Sequence, residues 1–405
     1  MGLTRIGDVH GYIIDEGEKI PVDGKLYYRG IDVEDLVQNA EAEKRFGFEE
    51  TVYLLLFGSL PNKTQLGDFC ALMGNSRALP KNFAEDSIMK APSRDIMNKL
   101  ARSVLTLYSY DEAPENRSPE NILRQCLELI ARFPTIVAYS YMAKKHYYDH
   151  ESLIIHMPDS HCSSAESLLS LIRPDQQYTH LEAEILDLAL VLHAEHGGGN
   201  NSTFAVHLVS SADTDTFSAV SAGIVSLKGY KHGGANIRVM GMMDEIKKNV
   251  KRWDSEIEVA DYLERILRGE ACDGSGLIYG QGHAVYTKSD PRAVLLRDKA
   301  ALLAEEKRLT DEFNLYRLIE KLTPEVFKNV KGSDKVICTN VDFYSGFVYT
   351  MLGIPPDLYT ALFAISRVAG WCAHRMEEII TGGRIIRPAY KCVQKRLDYT
   401  PLEKR

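Results

Sequence analysis

Apolar residues recur along most of this chain at spacings of three and four, as expected for helices that bury one face. The run is clearest at Leu181, Ile185, Leu188 and Leu192, with Glu182, Glu184 and Asp187 between them. It predicts an amphipathic helix carrying His193 and His196 at its end, stopped by Gly197, Gly198 and Gly199. Residues 49–57 predict an apolar helix closed by Gly58, with Pro61 shortly after. Residues 122–133 predict a helix ended by Pro134, which opens the next one toward Tyr148. Polar residues 111–119 and the irregular stretch 157–164 predict loops. Residues 217–227 are almost wholly apolar and predict a buried helix, while Pro355 and Pro356 start another through Trp371 that carries Arg367. Only the first 30 residues show short alternating runs, which predict brief strands or loops. No alternation of strand with helix appears, so the fold class is all-α.

Composition narrows the function classes. A chain of 405 residues has room for two or three domains, and 45% hydrophobic with 26% charged residues is ordinary for a globular protein. A net charge of -8 argues against a general nucleic-acid surface, so an anionic substrate must be held by local arginines and lysines. The seven cysteines are scattered without a C-x-x-C pair, which suggests reduced thiols in a cytoplasmic setting. The first residues lack a basic-then-apolar signal, and no stretch has the apolar length of a membrane span.

Candidate chemistry concentrates in residues 280–292, GQGHAVYTKSDPR. Gly280 and Gly282 let the backbone pass close to a ligand, and His283 can polarise a carbonyl or move a proton near neutral pH. Pro291 sets Arg292 at a helix start, where its guanidinium suits a carboxylate approached at two points. His232 stands before a predicted helix, whose N-terminus disfavours an imidazolium and favours a neutral donor. Asp342 follows the apolar residues Val336, Ile337 and Cys338, where desolvation would raise its basicity; it could equally cap a helix over 343–352. His193 and His196 have the i, i+3 spacing of a metal pair, but no third ligand stands at a recognisable distance, and no metal is expected. The glycines complete neither a dinucleotide fingerprint nor a phosphate loop.

Three segments, KGYKHGGAN at 228–236, GQGHAVYTKSDPR and NVDFYSG at 340–346, resemble the citrate synthase family in the order that family shows them. The likeness extends from Tyr28, Arg29 and Gly30 to Arg387 and Pro388. It implies a large helical domain of residues 1–234 and 354–405 with a small domain of residues 235–353 that closes over the site. It further implies condensation of acetyl-CoA with oxaloacetate to citrate and CoA, with acetyl-CoA a co-substrate and no permanently bound cofactor. Asp342 would take the acyl proton, His232 would hydrogen-bond the thioester oxygen, and His283 would act on the oxaloacetate carbonyl. His196, Arg292, Arg367 and Arg387 would hold the carboxylates, with Arg387 reaching from the partner in a homodimer, or in a higher oligomer built from it. The residues that hold CoA are left open: Gln281 and Thr287 depart from the family pattern where CoA is handled, and Gly197 where many members are acidic. The rival within the family is 2-methylcitrate synthase, which uses propionyl-CoA. More distant rivals are a metal-dependent hydrolase built on His193 and His196, and a non-catalytic helical binding protein.

Overall fold

The computed structural model describes residues 2–283, 285–333 and 336–405. The chain opens with an antiparallel hairpin of β1 (Gly7–Asp15) and β2 (Glu18–Tyr28), to whose end the short β3 (Ile31–Asp32) adds. These strands are longer than the brief runs expected. The hairpin's outer half carries exposed Ile13 and Ile14, so backbone pairing and not core burial holds it, while Leu26 and Tyr28 at its root are fully buried. Gly11 and Gly24 let the hairpin lie against the segment after His283: a Cβ there would come within 2.4 Å of Val285 O and 2.1 Å of Ser289 O respectively.

Fifteen α-helices follow among the described residues. They are α1 (Val33–Ala42), α2 (Phe48–Phe57), α3 (Lys63–Asn75), α4 (Ile96–Leu107), α5 (Pro119–Tyr148), α6 (Ser164–Ile172), α7 (His180–His193) and α8 (Asn201–Ser210). Then come α9 (Thr216–Lys228), α10 (Ala235–Asn249), α11 (Glu256–Leu267), α12 (Pro291–Glu306), α13 (Thr310–Lys331), α14 (Val341–Met351) and α15 (Tyr359–Thr381). Helix α15 runs through the middle of the molecule against α2, α5, α7, α8 and α9, with Trp371 fully buried. Helices α10 to α14 pack mainly on one another, α11 on α13 and both α10 and α12 on α14, while α12 also meets α7. No described helix is long and apolar enough to cross a membrane. All seven cysteines are free thiols.

Two expected boundaries fail for physical reasons. Helix α5 is continuous through Pro134, although an interior proline costs about 3 kcal/mol. Phe133, Ile136 and Val137 are fully buried around it, and their burial outweighs the lost backbone bond. Helix α7 ends at His193, and of its acidic residues only Glu184 is exposed. Glu182 is buried against Arg173 and Lys307, and Asp187 accepts from the backbone N–H groups of Gly47 and Phe48 at 2.6 and 3.2 Å. His196 therefore lies beyond the helix, in the glycine turn.

Candidate active site

His196, Asn200, His232, His283, Arg292, Asp342 and Arg367 line one cavity of about 160 Å³, together with Leu227, Gly233, Val341 and Phe363. Six of the seven sequence-predicted residues thus meet. The seventh, Arg387, does not line it; it is exposed on the tail 383–405, where the neighbouring Ile386 N–H donates to Ser211 Oγ at 3.0 Å.

Residues 280–283 are tied to the strand-like segment before α14. Gly282 N–H donates to Cys338 O at 2.7 Å, Asn340 N–H to Gly280 O at 3.0 Å, and Asn340 Nδ2 to Gly282 O at 3.1 Å. Gly280 has φ +79°, and a Cβ there would strike Phe343 at 2.8 Å, so only glycine fits. The same asparagine caps α14, accepting from Asp342 N–H at 3.0 Å. Asp342 is thereby freed from the capping role and sits in the first turn of α14. Burial pushes its pKa up to about 6, opposed by Arg292 and Arg367 and helped by Asp290. That is a carboxylate suited to accept a proton at neutral pH.

The two candidate donors are neutral. Nδ1 of His283 accepts from the N–H groups of Val285 and Tyr286 at 3.0 and 2.9 Å, so the ring proton sits on Nε2, the nitrogen left free for the cavity. Burial, followed by Arg292, lowers the pKa of His283 to about 4. His232 stands between α9 and α10, in a turn where a Cβ on Gly233 would strike Leu227 O and Thr360. Its pKa also falls to about 4, through burial first and then Arg367. His232 Nε2 lies 3.2 Å from Ser202 Oγ, which receives Trp371 Nε1–H at 3.2 Å and donates its own proton to Asn200 Oδ1 at 2.9 Å.

Arg292 and Arg367 bring positive charge. Arg292 is almost fully buried and already engages Asp290 at two points, Nε to Oδ1 at 3.0 Å and Nη2 to Oδ2 at 2.8 Å. The two-point partner read for it in the sequence is therefore filled from within the chain. Arg367 Nε donates to His193 O at 2.6 Å, leaving its terminal nitrogens. His196 stands edge-on to His283, ring centres 5.4 Å apart, with its buried Nε2 unpartnered among the described residues. His193 turns away from it, stacked on Phe363 at 3.8 Å with Nε2 3.0 Å from Tyr349 OH. The two histidines share no metal face.

Ser202, Asn200, Asp290 and Asn340 escaped the sequence reading. Asn200 and Asn340 were findable as helix caps, since each precedes a helical run. Ser202 is an unmarked serine until Trp371, 169 residues away, arrives beside it.

Comparison with known proteins agrees with this geometry. Residues 2–389 match the family described as citrate synthase, C-terminal domain. The chain is 32% identical to the citrate synthase of Haloferax volcanii over 98% of both chains. It is also 32% identical to 2-methylcitrate synthase 1 of Corynebacterium glutamicum, over 95% of this chain and 94% of that one. Among solved structures it resembles the citrate synthase of Thermoplasma acidophilum in ternary complex with carboxymethyl coenzyme A and oxaloacetate. That likeness has a TM-score of 0.80 at 26% identity, covering 100% of this chain and 97% of the other. With a family match across nearly its whole length, this chain belongs to the citrate synthase family.

Proposed function

We propose that this enzyme condenses acetyl-CoA with oxaloacetate and water to give citrate and free CoA, and that the cavity around Asp342 is where it does so. The observation that carries the reading is one carboxylate of raised pKa facing two neutral histidines and two buried arginines. A thioester α-proton is too weakly acidic for a carboxylate alone, so the enolate must be stabilised as it forms. Asp342 removes the proton while His232, as a neutral imidazole, hydrogen-bonds the thioester oxygen. His283 Nε2–H polarises the ketone of oxaloacetate as the new carbon–carbon bond forms, and citryl-CoA is then hydrolysed. Arg292, Arg367 and His196 hold the oxaloacetate carboxylates, and orientation of this kind supplies several kcal/mol.

The reading includes a second chain. Arg387, exposed and away from its own cavity, completes the partner's site in a homodimer. Residues 235–353 act as the domain that closes over the bound substrates and excludes water. Acetyl-CoA arrives as a co-substrate and no resident cofactor takes part; the chemistry runs in the cytoplasm.

A panel of acyl-CoAs with oxaloacetate, read by release of the CoA thiol, tests the assignment. Acetyl-CoA should be used fastest. Propionyl-CoA should be used measurably, because one methylene is worth about 1–3 kcal/mol of discrimination. A clear preference for propionyl-CoA would reassign the enzyme to 2-methylcitrate synthesis, and no thiol release from any acyl-CoA would overturn both readings.

A further inference from the structure

Behind the cavity a line of titratable side chains runs from core to surface. Glu195 is fully buried just before His196, wedged so tightly that a Cβ on Gly370 would lie 2.3 Å from Glu195 Oε2. His374, also fully buried, places Nε2 3.2 Å from Glu195 Oε1. Its other nitrogen, Nδ1, is 2.9 Å from Nε2 of His207, whose Nδ1 is 3.1 Å from Glu378 Oε2. His374 Nε2 and Glu195 Oε1 form no hydrogen bond with each other, whereas Glu378 draws the His207 proton out to Nδ1 and leaves His207 Nε2 as the acceptor facing His374. The two inner nitrogens stand 2.9 Å apart, where they share the His374 proton or, once it is displaced, hold an ion between them.

A third donor favours the metal. Glu377 Oε2 is 4.0 Å from His374 Nδ1 and is buried without a hydrogen-bond partner among the described residues. It lies, with the two inner nitrogens, inside a group whose ligand atoms are all within 4.8 Å of one another. Tetrahedral ligands at zinc-like bond lengths stand roughly 3.3 Å apart, so the 2.9 and 4.0 Å separations need only small rotations to converge. Three carboxylates surround the two rings, and a divalent ion offsets them better than one proton does. The cluster opens on a surface cavity lined by Arg5, Arg29, His207 and Glu377, which provides the entry path.

We propose that His207 Nε2, His374 Nδ1 and Glu377 Oε2 bind a divalent transition ion, zinc or a similar nitrogen-preferring metal, with Glu195 and Glu378 as outer partners of the two imidazoles. Two imidazoles and one carboxylate disfavour calcium and magnesium, which take oxygen ligands. The ion would tie α8 to α15 and, through Glu195, to the turn that carries His196. Its role is to brace the wall of the cavity; the site does not depend on which reaction the cavity performs.

The test uses untagged full-length protein stripped with a chelator and titrated with cobalt(II), followed by visible ligand-field absorption and displacement by zinc. One ion per chain should bind, and Tm should rise with ion concentration. Glu377→Gln and His207→Gln should each weaken binding at least tenfold and remove the rise in Tm. Glu377→Gln keeps shape and size and can still accept from the Arg5 N–H, so it decides the matter even if the histidine variant fails to fold. Absence of binding to the wild type, or binding unchanged in Glu377→Gln, would overturn the site.

Discussion

At the scale of single residues, the account rests on charge states that proximity and burial impose. Asp342 ionises near pH 6, whereas His232 and His283 stay neutral down to about pH 4. The acid limb of the pH profile therefore belongs to Asp342: kcat/KM should rise with pH through about 6 and level off above it, a limb absent from the residual activity of Asp342→Asn. Asp342→Asn and His232→Ala should each lower kcat by roughly 100- to 10,000-fold, and the double variant should lose little more, because both act in one step. The raised pKa also makes a stability prediction. The folded state binds the extra proton between about pH 4 and 6, so the charged carboxylate weakens the fold above that window. Asp342→Asn should melt at a higher temperature than the wild type at pH 8, and the gap should close as the pH falls through 6 toward 4. Equal melting temperatures at pH 8 would count against a strained carboxylate.

At the scale of elements, one asparagine joins capping to chemistry. Asn340 caps α14 with its oxygen and holds Gly282 with its nitrogen, so it fixes Asp342 and His283 together. Asn340→Ala should cost about 1 kcal/mol in a denaturant melt, as a lost cap does, and should also lower kcat with little change in fold. Loss of stability alone, with kcat intact, would show that the contact to Gly282 does not position His283. This double use explains what was legible in the sequence. The helices announced themselves by period and by stops such as Gly58, whose φ of +82° closes α2 as expected. Asp342, His232 and His283 stood out because glycines and apolar residues flank them. What stayed hidden depends on contacts far apart in the chain. Pro134 gave a stop signal that packing overrode, and Glu182 and Asp187 looked solvated because their partners lie elsewhere in the chain. Ser202 and the pair His207 and His374 have no local signature at all. His207 and His374 meet across 167 residues.

At the scale of the whole molecule, the exposed position of Arg387 makes the proposed dimer testable. A His283→Ala chain and an Arg387→Ala chain should each be nearly inactive as homodimers. In a mixed dimer one site carries both defects and the other carries neither. Random reassortment should then restore roughly a quarter of wild-type activity. A mixture shown to contain mixed dimers yet still inactive would place Arg387 in its own chain's service, or outside the reaction. The claim beneath all of this is that the assembled enzyme makes an enolate of acetyl-CoA with Asp342 as base. It is tested most directly by exchange of the acetyl-CoA methyl protons with solvent deuterium, in the presence of an unreactive oxaloacetate analogue. The wild type should exchange readily and Asp342→Asn should not, whereas exchange at the wild-type rate in Asp342→Asn would contradict the mechanism.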